Sequence, residues 1–507
     1  MPQGVLPFQY QRETVGKGVT ALSGLGIYLD FLYGGGIPGK ADEAIGLRRG
    51  QGYSDGQMVV ALLLLNLAGG EAVQSLETLE QDEGLMVLLR RAEQWGKGHR
   101  RAGAPDAGVG RWRRERQRTL PSPSSVFRYL EGFVGEDEGQ RGMGEAFIPK
   151  VSGRLQGLRM VNRHLVAQVQ RLRSQRRATL DMDATLVETG KGEALWSYQG
   201  TRAYQPIQTY WAEQDLLIHT EFRDGNVPAG YEQLRVLQES LDLLPEGVDE
   251  VLMRSDTAGY QQELLQYCAE GKHEGYGVIG FAVGADMTPA LKEAVREVAE
   301  EAWQPLKKET PWGWQETYQE WAEVNFVPDW IGRKKSSPEY RYLAVREPVR
   351  QGVLPGLEEQ LSFPALVLGQ GQVYKVTAII TNRDLPGSQL IRWYRQRCGK
   401  SEEVHRILKD DLAGGTLPSG SFGENAAWWA ITSLAFNVHT AVKSLALGGS
   451  WLTKRLKTIR FSLISVPGRV VQHGRGLWLR VSQGHPAFPL LIQGRQRLRA
   501  LLGLPAG

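Results

Sequence analysis

The segment Leu180-Asp181-Met182-Asp183-Ala184-Thr185-Leu186-Val187 constrains this chain more than any other. Apolar residues alternate with acids, so as a strand it turns Asp181, Asp183 and Thr185 to one face and Leu180, Met182, Ala184 and Leu186 to the other. Such a strand fits a sheet packed on one side and carrying two carboxylates on the other. Carboxylates that merely face solvent at a sheet edge would give the same pattern, as would the Asp-x-Asp metal site of a sugar-nucleotide transferase.

The surroundings of that segment read as α/β. A helix over 232–244, the strand DEVLMRSD, a helix over 259–269 and the buried strand YGVIGFAV follow one another as strand-and-helix units do. Gly275, Gly277 and Gly280 match a dinucleotide fingerprint, but they lead into a strand instead of opening a helix. No Walker A sequence, HExxH or nucleophile elbow is present. Upstream, apolar periodicity predicts helices over 24–32, 55–69, 72–79 and 84–92, a Ser-capped helix within 121–133, and a basic amphipathic helix over 165–177. Downstream, residues 291–303 read as helical, followed by a Trp-rich stretch and the strand YRYLAVREPV. The strand YKVTAIIT then precedes a long helix from Ser388 to about Leu412, and 426–446 form a second, strongly apolar helix.

The 507 residues therefore divide into a multidomain α/β chain. The expected parts are an all-helical N-terminal domain (1–155), the first part of an α/β core (156–284), a partly β insertion (285–375), the second part of the core with the late helix (376–445), and a basic helical C-terminal region (446–507).

Charge is unevenly spread over these parts. The net value is only +4, yet the last acidic residue is Glu424, and beyond it stand eleven Lys or Arg interleaved with Trp, Phe, Leu and Val. A second basic island, Arg90 to Arg118, holds ten Lys or Arg. Two such runs suit a folded protein facing a polyanion, through contacts that release counterions and weaken with salt. With only two cysteines, Cys268 and Cys398, neither a disulfide framework nor a Cys-rich zinc module can be built. The N-terminus lacks the pattern of a secretory signal, and the apolar run Met58 to Leu65 is far short of a bilayer span. These features predict a cytoplasmic, nucleoid-associated protein with no membrane partner.

Two further segments carry candidate chemistry. In VLMRSDTAGY an apolar strand ends at Asp256, where α/β sheets hold ligands, although an aspartate there also serves to cap the next helix. In LIRWYRQRCGKSEEVHRILKDD, a continuous helix would gather Tyr394, Arg397, Glu402, His405 and Lys409 within one arc and pack Trp393, Val404, Ile407 and Leu408 beside it. An amphipathic surface helix with ordinary charge pairs has the same look.

Taken jointly, Asp183, Asp256 and Glu402, spaced by 73 and 146 residues, resemble the acids of the DDE transposases of bacterial insertion sequences. The late segment is similar to the Tyr-Arg-Glu-Lys signature of one large group of them, as Tyr394, Arg397, Glu402 and Lys409, with one extra residue before the Glu and Glu403 as the alternative. Asp183-Ala184-Thr185 resembles the family's Asp-Gly-Thr, which favours Asp183 over Asp181. The resemblance implies an RNase H-like mixed sheet and a β-rich insertion before the catalytic helix. It also implies that Asp183, Asp256 and Glu402 bind Mg²⁺, for which Mn²⁺ substitutes, with Tyr394, Arg397 and Lys409 on DNA. The implied partners are double-stranded transposon ends and target, engaged by a homodimer. An inactive, element-derived DNA-binding protein and an RNase H-like nuclease without strand transfer are the competing readings.

Overall fold

The computed structural model describes residues 18–47, 52–98, 118–142, 144–331, 340–349, 361–369, 371–473 and 476–504. Most of the basic island between Arg90 and Arg118 lies outside them. The chain folds as two compact units, one comprising 1–139, 149–172 and 407–507, the other 140–148 and 173–406.

In the first unit, two helices dictate the packing. Asp55–Ala68 and Phe422–Val442 are apolar around nearly their whole circumference, so neither can lie on a surface, and both are buried along almost their full length. They pack on each other, and Gly153–Leu172 packs on Phe422–Val442. Polar groups within this packing find partners in part: Asn66 donates to Thr432 Oγ1 at 3.4 Å, and Tyr28 OH lies 2.9 Å from His439 Nδ1. Arg460 closes the C-terminal end of Asp55–Ala68 by donating to the carbonyls of Asn66 and Leu67 at 2.6 and 2.9 Å. The C-terminal region is thus built into the same core as the N-terminal helices. It also supplies a hairpin, Gly468–His473 with Gly476–Val481, to which the short strand Val19–Thr20 adds. The N-terminal segment is therefore not purely helical, because a two-residue strand that borrows a distant partner leaves no periodicity to read.

The second unit is organised on a ten-stranded mixed sheet. From edge to edge it runs Leu216–Glu221, Ile207–Trp211, Arg177–Ala184, Glu250–Ser255, Gly280–Ala285, Gln372–Thr381, Arg341–Pro348, Gly313–Val324 and Gln304–Thr310, with Ala365–Leu368 also on Gln372–Thr381. The first five strands of the unit's sheet thus lie in the order third, second, first, fourth, fifth. The first, fourth and fifth are parallel, and all other pairs are antiparallel. The parallel links need crossovers, supplied by the helices Gln233–Leu243 and Gln262–Ala269. This arrangement is consistent with an RNase H-like core followed and preceded in sequence by helical regions.

The segment read as an insertion does not make a sheet of its own. Its strands extend the central sheet beyond Gln372–Thr381, and their apolar side chains form a platform. Leu306, Trp321, Leu343, Val345 and Ile379 pack there with Leu390 and Ile391 of the late helix, Gly387–Arg406. The approach is close enough that a Cβ on Gly387 would fall 2.1 Å from the Trp321 ring. The predicted helix over 291–303 is shorter, Pro289–Arg296, and Trp303 beyond it is buried. The predicted helix over 165–177 begins earlier, as Gly153–Leu172, and Arg177 already opens the first strand.

Asp55–Ala68 starts with a full capping box, Ser54 accepting from Gln57 N and Gln57 accepting from Ser54 N. Ser54→Ala is expected to destabilise the first unit by about 1 kcal/mol, read as an earlier urea midpoint in far-ultraviolet circular dichroism.

Candidate active site

The site begins with strand register. Arg177–Ala184 and Glu250–Ser255 pair in parallel with Met182 opposite Ser255, so one step further sets Asp183 beside Asp256 at the C-terminal ends of both strands. Ends of parallel strands are where open α/β sheets hold ligands. Asp256 also caps the turn Thr257–Gly259, its Oδ1 accepting from Ala258 N at 3.1 Å, so the capping reading and the proximity to Asp183 hold together.

Asp183 is partly buried, with 21% of its side chain exposed, and its Oδ2 lies 3.4 Å from Arg397 Nη2. Ser401, one turn beyond Arg397, also hydrogen-bonds it. Burial pushes the Asp183 carboxyl up, the Arg397 guanidinium opposes this and the like charge of Asp256 adds to it, leaving it at about 6. Burial likewise raises Tyr394, whose hydroxyl lies 3.0 Å from the place a Cβ on Gly284 would occupy.

The late helix is unbroken through Gly399, and the face it turns to Asp183 carries Arg397 and Ser401. Glu402 is exposed, about 100° further round that helix. Among the described residues, Asp183, Asp256 and Glu402 do not bring one carboxylate oxygen each within 4.8 Å of one another. The alternative acid, Glu403, is engaged by Lys400 at 3.3 Å, which also holds Asp215 at 2.8 Å. Lys409 lies in the π-helical turn Ile407–Asp411 of the first unit.

Asp181 is fully committed. Arg254 grips it through a fork, Nε to Oδ1 at 2.6 Å and Nη2 to Oδ2 at 2.8 Å, with both side chains buried. Neither Arg254 nor Ser401 stood out in the sequence. Arg254 could have been found from its place two residues before Asp256, matching Asp181 two before Asp183, whereas Ser401 emerges only from the phase of the helix.

A second acidic group lies one strand removed from the Asp183 strand. Ligand atoms of His219, Glu221 and Glu239 all fall within 4.8 Å of one another, a spacing that could take a divalent ion. Arginines already neutralise it: Arg223 and Arg235 hold Glu221 at 2.7 and 2.8 Å, and Arg235 also reaches Glu239. Burial pushes Glu221 up, but the hydrogen bonds and charges of Arg235 and Arg223 outweigh it and pull the carboxyl down to about 2.

Residues 11–326 and 366–502 match the family model described as "Transposase DDE domain group 1". The chain belongs to this family. Among solved structures it is similar to a piggyBac transposase synaptic complex with hairpin DNA, at 10% identity and a TM-score of 0.38 over 92% of this chain and 88% of that one. No curated protein matches it. No helix among the described residues of this DDE family member is long and apolar enough to cross a membrane.

The raised Asp183 carboxyl predicts a pH signature for the metal-free protein. The fold holds that proton more tightly than the unfolded chain does, so the stabilisation is complete only below the unfolded pKa and is lost as pH rises through about 6. Asp183→Asn should therefore raise stability in chelator above neutral pH, by roughly 2–3 kcal/mol, and give no gain near pH ~4. Thermal melts of the two proteins at both pH values check this, and equal gains at each would refute it.

Proposed function

We propose that the chain is a DNA transposase of a bacterial insertion sequence, in the group with the Tyr-Arg-Glu-Lys signature and an RNase H-like core. It binds the element's terminal repeats, cleaves the ends and joins the freed 3′-OH to target DNA. The observation that carries this reading is the pair Asp183 and Asp256 on adjoining parallel strands, with Arg397 of the late helix against Asp183. Family membership supports the reaction class.

The donor set fits a hard divalent cation. Asp183 is raised by burial and by its neighbour's charge, an electrostatic cost that Mg²⁺ or Mn²⁺ relieves. Asp183, Asp256 and Glu402 are the proposed ligands. Bound there, the ions supply charge that activates an attacking oxygen and stabilises a leaving one.

The chain's own residues then have distinct tasks. Arg397 holds a phosphate near the scissile bond, and Tyr394, seated against Gly284, fixes the guanidinium's neighbourhood. Lys409 completes the signature as a further phosphate contact. Trp312 and Trp314 stand exposed on the hairpin Gln304–Thr310/Gly313–Val324, while Trp303 and Trp321 are core. Arg392 stacks on Trp314 with its guanidinium 4.7 Å from the ring centre, a surface suited to unstacked bases. Residues 1–155 are assigned to end recognition, with the basic residues beyond Glu424 adding backbone contacts. The active form on DNA is a homodimer, in the cytoplasm at the nucleoid.

Incubating the protein with its own element's ends and Mg²⁺, then mapping strand breaks, tests the proposal. Cuts at the element boundary are expected, abolished by Asp183→Ala, Asp256→Ala or Glu402→Ala with end binding retained. An end-binding wild type that never cuts would instead favour the inactive, element-derived protein, a reading to which Ser401 on the face toward Asp183 lends weight. Arg397→Ala should weaken DNA binding and reduce the slope of log affinity against log salt by about one phosphate contact. An unchanged slope would remove Arg397 from the interface.

A further inference from the structure

Behind the aspartate pair lies a second, buried layer with no evident catalytic task. Arg254 and Asp181 sit two residues before Asp256 and Asp183 on the two paired strands, so the period of two turns them to the same face of the sheet. Arg254 uses two nitrogens on Asp181 and sends the third out of the sheet, Nη1 donating to the Trp393 carbonyl at 2.5 Å and to Gln396 Oε1 at 3.4 Å. Its guanidinium also stacks 5.1 Å from the centre of the Trp393 ring, which Arg383 approaches at 4.2 Å. All these contacts converge on one turn of the late helix.

We propose that Arg254, oriented by Asp181, is a positioning residue that clamps the helix Gly387–Arg406 in register with the aspartate strands, thereby setting Arg397 and Ser401 against Asp183. Burying an ion pair rarely adds net stability over an apolar pair of similar volume, so stability is a poor account of the arrangement. Geometry is a better one. Two strand residues advance about 7 Å, and the four helix residues from Trp393 to Arg397 advance about 6 Å. The inner contact, Asp181 to Arg254 to the Trp393 carbonyl, is therefore repeated one step outward as Asp183 to Arg397 and Ser401. Holding the first level fixes the second. The planar guanidinium is required, because an ammonium cannot fork onto a carboxylate and reach a carbonyl beyond it.

The catalytic consequence rests on the transposase reading, whereas the clamp itself does not, and the test separates them. Amide hydrogen exchange is followed by mass spectrometry on the full-length chain without DNA or metal, for wild type, Arg254→Lys and the apolar double variant Asp181→Leu/Arg254→Met. The expected result is faster exchange, by roughly tenfold or more, across 390–406, with protection kept in 177–184 and 250–255, as befits a locally released element. Unchanged protection of the helix in a folded variant overturns the clamp, as does equal loosening of helix and strands. Should the double variant not fold, Arg254→Lys decides the matter on the same criteria. In the cleavage assay the variants should lose on the order of a hundredfold, the scale set by displacing reacting groups by about 1 Å. A wild type without cleavage sinks the transposase reading and leaves the exchange result standing.

Discussion

Two carboxylates set side by side at the ends of parallel strands impose a demand that the rest of the second unit meets. The parallel pairing of Arg177–Ala184 with Glu250–Ser255 is possible only through a crossover, and it leaves Asp183 and Asp256 adjacent with no backbone freedom to separate. Burial and mutual repulsion make that adjacency costly. Arg397 offsets part of the cost, and its position depends on a helix anchored at two levels: by Leu390 and Ile391 on the strands of the insertion, and by Arg254 on the Trp393 carbonyl. The extended sheet is thus part of the site's support.

The contrast with the group around His219 shows how acids can be compensated in different ways within one sheet. Glu221 and Glu239 are met by guanidinium groups with short, directional contacts, and Glu221 stays ionised as a result. Such a group needs no further cation, and its arginines compete with one. Asp183 is met by one guanidinium, Arg397, at a longer distance, and has a like-charged neighbour, which is the condition under which a divalent ion is favoured.

Local signals in the sequence were enough for elements whose pattern is self-contained. The alternation through Leu180 to Leu186, the apolar run ending at Asp256 and the helices around Val59 and Ala435 all correspond to real elements. What escaped was whatever depends on distant partners. Val19–Thr20 becomes a strand only because Gly468–His473 is there to receive it. The strands between Gln304 and Pro348 looked like a separate insertion because their continuity with the central sheet is a matter of edge pairing, which composition does not encode. In the late helix, residue types pointed to Glu402 and Lys409, but orientation follows from how Leu390 and Ile391 seat the helix, and that brings Ser401 toward Asp183.

The order of segments along the chain also matters at the ribosome. Asp55–Ala68 emerges early, yet the helix that covers it, Phe422–Val442, is translated more than 350 residues later. At typical elongation rates of about 5–20 residues per second, that is a delay of tens of seconds. Throughout it, Ile37–Ala44 and Leu25–Gly34 can cover part of that helix, but the side that meets Phe422–Val442 stays open while the whole second unit is synthesised and free to fold. The nascent protein therefore holds an apolar surface waiting for its late partner, and a polypeptide halted before Phe422 would leave that surface open indefinitely.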